Sequence, residues 1–136
     1  MKIDGNLFDA IDIAVSGLRA HGRQMEVISS NVANARTTNV DGTGQPYRRL
    51  DVEFTTDEEN GGVRIEDVFQ DMSPFKRVPA SPGDPRADSE GYISLPNVNM
   101  PTELINLNLA SRAYEANAAM MKRYQRMIET SLELLR

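Results

Sequence analysis

All seven prolines of this 136-residue chain lie between Pro46 and Pro101, and both flanks are free of them. Proline fixes φ and removes a backbone donor, so the middle cannot hold a long helix while both ends can. Each end carries the repeat of a long amphipathic helix. Over residues 6–34, Leu7, Ile11, Ala14, Leu18, His21, Met25, Ile28 and Val32 recur at alternating spacings of four and three. That is a heptad seam, the pattern of helices that pack along their length. Asn6 is the expected N-cap, and Asp9 and Asp12 suit the positive end of the helix dipole. Over 103–135, Leu104, Leu107, Ser111, Tyr114, Ala118, Met121, Gln125, Ile128, Leu132 and Leu135 repeat the spacing, with Thr102 expected as cap behind Pro101. At ~1.5 Å per residue the helices would be roughly 40 and 50 Å long.

Both helices carry a second stripe. It is Ala10, Ile13, Gly17, Ala20 and Val27 in the first, and Leu109, Ala113, Ala116, Met120, Met127 and Leu134 in the second. A two-helix hairpin covers one stripe on each helix and leaves the other in water, which is unusual for a soluble monomer. Each helix therefore asks for more than one partner. The plainer alternative is a loosely amphipathic hairpin with scattered surface Ala and Met.

The middle is different in kind. Residues 37–101 carry a net charge of -6, against zero for 1–36 and +1 for 102–136. Leu50, Val52 and Phe54 alternate with Asp51 and Glu53 as a half-buried strand, and Val63 and Ile65 alternate with Arg64 and Glu66 as a second. Residues 57–62 form a charged turn between them. Residues 73–91, rich in Pro and Gly, should be extended and irregular, and Tyr92, Ile93 and Leu95 add a short strand. The expected fold is mainly α with a small β element: N- and C-terminal helices packed as a coiled-coil-like hairpin around an extended, β-rich middle. The units are 1–36, 37–101 and 102–136.

Several function classes lose their support. A net charge of -5 is wrong for a nucleic-acid binder, which needs a basic face. No apolar run approaches the ~20 residues of a membrane span. Met1-Lys2-Ile3-Asp4-Gly5 has neither the apolar run nor the cleavage site of a secretory signal. Without Cys there are no disulfides, thiol nucleophiles or thiolate metal ligands. His21, the one His, sits on the heptad seam as a packed imidazole, and Ser29 and Ser30 are about two turns away, poor geometry for a triad. Asp84, Asp88 and Glu90 miss the one-three-five spacing of a calcium loop and read as a solvated acidic loop. No catalytic constellation and no cofactor are expected.

Ser29-Ser30-Asn31-Val32-Ala33-Asn34-Ala35-Arg36-Thr37 resembles the motif of the bacterial flagellar axial proteins, in which a helix ends in an Asn-(Leu/Val)-Ala-Asn turn followed by Thr. Ala14 to Ala20 looks like the family's helix opening. Gly44 to Arg48, Pro85 to Asp88, Gly91 to Ile93, Pro96 to Val98, Glu103 and Ser111 to Asn117 are similar to the proximal-rod members, and the short middle fits them too. The rod motif maps onto Ser30, Asn31, Val32, Ala33, Asn34 and Thr37. Asn31 and Asn34 suit a sharp helix exit, since Asn tolerates left-handed backbone and bonds nearby backbone groups.

The resemblance implies a structural subunit of the proximal rod, located in the basal body where the rod spans the periplasm. Its terminal helices would pack into a hollow shaft carrying motor torque to the hook and filament. Leu7, Ile11, Leu18, Met25, Ile28, Val32, Leu107, Tyr114, Met121, Ile128 and Leu132 would make the subunit packing. The implied partners are itself, other proximal- and distal-rod proteins and the flagellar type III export apparatus, with no nucleic acid and no membrane insertion. Two alternatives differ in class. A non-flagellar coiled-coil adaptor or secretion-needle component shares the helices but has no need of the Asn31–Thr37 motif. A cell-wall hydrolase needs a carboxylate in a cleft, for which Glu66 and Glu90 are the candidates.

Overall fold

The computed structural model describes residues 4–59 and 61–136, with side chains described from Asp9 onward. Helix α1 runs Asp4–Ala33 and helix α2 runs Met100–Leu134. Between them lie β1 (Leu50–Thr56), β2 (Val63–Gln70), β3 (Lys76–Pro79) and β4 (Tyr92–Leu95). The strands form two separate antiparallel pairs, β1 with β2 and β3 with β4.

The helices run antiparallel, because Asn31 near the end of α1 meets Glu103 at the start of α2, while Gly17 meets Asn117 further along both. Their contact is thin. Among the described residues, Ala14, Ala20, Val27, Ile28 and Ala110 are the buried apolar side chains of the helices. A Cβ on Gly17 would stand 2.7 Å from Asn117 Nδ2, so a larger residue there would displace the Asn117 amide from this contact.

The other side of α1 is covered by the β1–β2 hairpin, which lies over Asp12, Val15, Ser16, Arg19 and Arg23. Ser16 is the clip. Its hydroxyl donates to Ile13 O at 2.7 Å and accepts from Val63 N–H at 3.0 Å. Gly62 presses directly on Ser16, with no room for a side chain. His21, hydrogen-bonded to Gln24, packs its ring on Phe54 with centroids 5.6 Å apart. The molecule is thus three-layered, with α1 between the hairpin and α2, and α2 packs on neither strand.

Several sequence expectations change. α1 begins at Asp4, so Asn6 is inside the helix and not its cap; its side chain, like that of Leu7, lies outside the described residues. The cap of α2 is Asn99, whose side chain accepts from Thr102 N–H at 3.2 Å, and Pro101 sits in the first turn, where its missing N–H costs nothing. Residues 73–91 are not wholly irregular: Lys76–Pro79 forms β3 against β4. The proline-free run from Phe75 to Val78 is long enough for an edge strand, which needs donors on one side only. On α2 the face toward α1 carries Glu103, Ala110, Tyr114 and Asn117, a line that shares Leu107, Tyr114, Met121 and Ile128 with the predicted seam but passes the other side of Leu104 and Ser111. Most of the second stripe of α1 is used within the chain: Gly17, Ala20 and Val27 are buried, Ala10 is half-buried, and Ile13 remains 45% exposed.

Candidate functional site

Two features qualify as functional: a polar junction where α1, α2 and the β segment meet, and an uncovered apolar side of α2. The junction centres on Asn31. Its side chain is fully buried and makes four hydrogen bonds. Nδ2 donates to Leu50 O at 2.8 Å and to Glu103 Oε2 at 2.9 Å. Oδ1 accepts from Leu50 N–H at 2.9 Å and from Tyr47 OH at 3.0 Å. By engaging both backbone groups of Leu50, the amide stands in for a neighbouring strand at the start of β1. Asn31 therefore lies within the helix with ordinary backbone, and its expected role as a left-handed exit is corrected; among the described non-glycine residues only Asp41 has positive φ. Burial explains the difference, since a buried amide must satisfy all its groups, and here only tertiary partners do so.

Asn34 does mark the helix end. Its Nδ2 donates to Ser30 O at 2.9 Å, its Oδ1 accepts from Thr37 Oγ1 at 3.2 Å, and its backbone carbonyl accepts from Thr37 N–H. Ser30 Oγ contacts Tyr47 OH at 3.2 Å, so Ser30, Asn31, Asn34 and Thr37 are drawn into one network, with Val32 half-buried and Ala33 exposed beside it.

Glu103 completes the junction. It is 1% exposed and accepts from Arg49 Nε at 2.7 Å as well as from Asn31. Arg49 also reaches Asp51 at 2.8 Å. Burial works against the charge of Arg49, but its hydrogen bonds to Asp51 and Glu103, and their negative charges, outweigh this and raise its pKa above the ordinary arginine value. Asp71 lies 3.7 Å from the same guanidinium. Its carboxyl is held below the usual range chiefly by hydrogen bonds from the Ser73 backbone and hydroxyl. Asn97 ties the segments further, accepting from Arg49 N–H and donating to the Asp71 carbonyl. The sequence marked Asn31 and Glu103 within motifs but carried no signal that they touch, nor that Tyr47, Arg49 and Asn97 join them.

The second feature is area. The chain exposes 9784 Å², whereas a compact monomer of its 15.1 kDa exposes roughly 7,100 Å². Exposed apolar side chains on α2 are part of it: Leu104, Ile105, Leu109, Met120 and Met127 are between 43% and 61% exposed. Of the expected packing residues, Ile28 is buried; Ile11, Leu18, Met25, Val32, Leu107, Met121 and Ile128 are half-buried; and Tyr114 and Leu132 are exposed.

The candidate catalytic groups do not converge. Glu66 is exposed on β2, and Glu90 is bound to Arg77 at 2.8 Å beside the other sheet. Asp88 shares that guanidinium and Asp84 is bound to Arg86. Among the described residues no three acidic or histidine side chains gather to hold a metal ion, and no helix is long and apolar enough to cross a membrane.

Comparison with known proteins gives these features a context. Residues 11–44, α1 through the loop after it, match the family described as flagella basal body rod protein. Residues 89–134, β4 and α2, match the C-terminal family of the flagellar basal body rod FlgEFG proteins. The chain is 38% identical over 133 residues to the flagellar basal-body rod protein FlgC of Salmonella typhimurium, covering 94% of this chain and 97% of that one. It is 34% identical to FlgC of Borreliella burgdorferi, over 95% of this chain and 97% of the relative. It is 33% identical to FlgC of Bacillus subtilis, over 93% and 97%. With most of α1 and all of α2 inside the matched regions and the likeness spanning nearly the whole length of each relative, the chain belongs to the family of flagellar basal-body rod proteins FlgC.

Proposed function

We propose that this chain is a structural subunit of the proximal part of the flagellar rod, assembling through its terminal helices into a hollow shaft that carries motor torque to the hook and filament. The observation that carries the reading is the uncovered apolar side of α2: exposed Leu and Met spaced along one long helix need neighbours before they leave water. Twist in such a wall is resisted by packing spread along the helices, and the polar junction binds the β segment to both of them. Copies of this chain and other rod proteins are the partners, and the rod crosses the periplasm. Delivery by the flagellar type III export apparatus suits a chain without disulfides and with a small buried apolar core, half of it Ala among the described residues. The chain performs no catalysis in this reading, in which the two candidate carboxylates stand apart, Glu66 exposed on β2 and Glu90 bound to Arg77 beside the other sheet.

The test is mass spectrometry of hook–basal bodies purified from the source organism. Detection of the chain at a few copies per basal body, comparable with other rod proteins, is the expected result. Its absence while other rod proteins are detected would overturn the assignment.

A further inference from the structure

Two exposed surfaces have complementary chemistry, and their positions keep them from meeting within one chain. The first is the outward side of the β1–β2 hairpin. Phe54 and Ile65 turn toward α1, so the alternation of side chains sends Glu53 and Asp67, partners in register, to the outside. The register shift next to Glu53 leaves Glu66 without a partner in β1, exposed beside Asp67. Like charges directly opposed destabilise a ladder, and none of these carboxylates pairs with a described cation. Phe69 stands on the same side, two residues along, and is 43% exposed.

The second surface is the side of α2 away from α1. Lys122, Arg123 and Arg126 are exposed there beside exposed Met120 and Met127. At about 100° per residue Lys122, Arg123, Arg126 and Met127 fall on the half of the helix opposite Tyr114 and Asn117, which face α1, and Met120 lies at its edge. None of the three cations pairs with a described carboxylate. Since α1 lies between the hairpin and α2, the two surfaces are on opposite outer sides of the molecule.

Building on the rod-subunit reading, we propose that the acidic hairpin side of one copy docks on the basic, methionine-bearing side of α2 in the next copy, with Phe69 as the apolar anchor. The occupant is a second copy because this one chain supplies both halves of the match. Different surfaces on opposite sides give a heterologous contact, which propagates along an assembly and does not stop at a two-fold dimer. The contact also relieves the Glu53–Asp67 repulsion that the isolated chain carries.

The experiment uses full-length chain in its own organism. One variant carries Glu53→Lys with Asp67→Lys, a second carries Lys122→Glu with Arg123→Glu, and a third carries all four. All four positions are exposed and make no salt bridge among the described residues, and unchanged thermal melting of the purified variants checks the fold. Each two-site variant is expected to fall about tenfold or more in copies per basal body, because like charges then face each other. The four-site variant is expected to recover to near the wild-type level. In the cysteine-free background, Asp67→Cys with Arg123→Cys is expected to give disulfide-linked copies of this chain in oxidised basal bodies. Normal assembly of either two-site variant, no recovery in the four-site variant, or cross-linking only to a different rod protein would each overturn the proposal while leaving the rod reading intact. Absence of the unmodified chain from basal bodies would overturn both.

Discussion

Asn31 has no surface and four hydrogen-bond partners, so each change to it has a distinct consequence. Asn31→Ala leaves both backbone groups of Leu50, the Tyr47 hydroxyl and Glu103 short of a partner. The expected loss is about 2–4 kcal/mol of folding stability, read by urea unfolding of the purified chain. Asn31→Asp is nearly isosteric but turns the donor that faces Leu50 O and Glu103 into an acceptor, so it should destabilise more than alanine does. An aspartate variant as stable as wild type would show that the junction is not closed as described. Glu103→Gln tests the other end. Arg49 Nε and Asn31 Nδ2 are both donors, and a glutamine oxygen can serve only one of them well while its amide N–H faces the other. A loss of roughly 2–4 kcal/mol is expected by the same measurement. None of this was legible in the sequence beyond the identity of the residues. Asn31 and Glu103 are 72 positions apart, and a hydrogen bond between them leaves no periodic trace.

The elements meet through small residues. Gly62→Ala would drive a methyl group into Ser16, breaking the clip from its hydroxyl to Val63 N–H and lifting the hairpin from α1. The expected cost is about 1–3 kcal/mol, with raised amide exchange confined first to β1 and β2. Ser16→Gly in the same chain removes the obstructing atoms, and partial recovery identifies the clash as the cause. The β3–β4 element answers to pH instead. The Asp84 carboxyl is lowered to about 2, first by the Arg86 side chain and then by the Arg86 backbone N–H. Asp88 is lowered chiefly by the Tyr92 backbone N–H. Carboxyls depressed in the folded state add stability that is complete above the ordinary carboxylate range and lost as pH falls through the folded values. The loop between β3 and β4 should therefore keep its order at pH 5 and lose it as pH approaches about 2, seen as faster amide exchange at Gly91 and Tyr92. Loosening already at pH 5 would contradict the assigned hydrogen bonds. Alternation over 50–54 and 63–66 marked β1 and the first half of β2, and the apolar residues at 92–95 marked β4, whereas β3 was not readable, because four residues between prolines carry too short a pattern to separate a strand from an extended loop.

For the molecule as a whole, stability and assembly should separate. Leu109 is 59% exposed, so Leu109→Asp should change the unfolding free energy of the monomer by no more than about 0.5 kcal/mol. The same change should reduce incorporation into basal bodies and impair swimming, scored by mass spectrometry and motility in soft agar. Normal swimming would remove Leu109 from the assembly surface. The area that favours neighbours sits on α2 and much less on α1, where Gly17, Ala20 and Val27 of the second stripe are buried within the chain and Ile13 stays exposed.

What the sequence determined by itself was everything carried by local pattern: two long helices, a proline-limited middle with short strands, and the motif that resembles rod proteins. Such features depend on residues a few positions apart, and their spacing is written directly in the chain. Tertiary structure alone decided which stripe of each helix is used, that α1 is the middle layer, and that Asn31 joins Glu103 and Leu50 across the junction. A stripe offers apolar area without an address. The address is set by fit, by where glycine permits close approach and where a buried polar group finds its partners, and fit exists only once distant segments are in place.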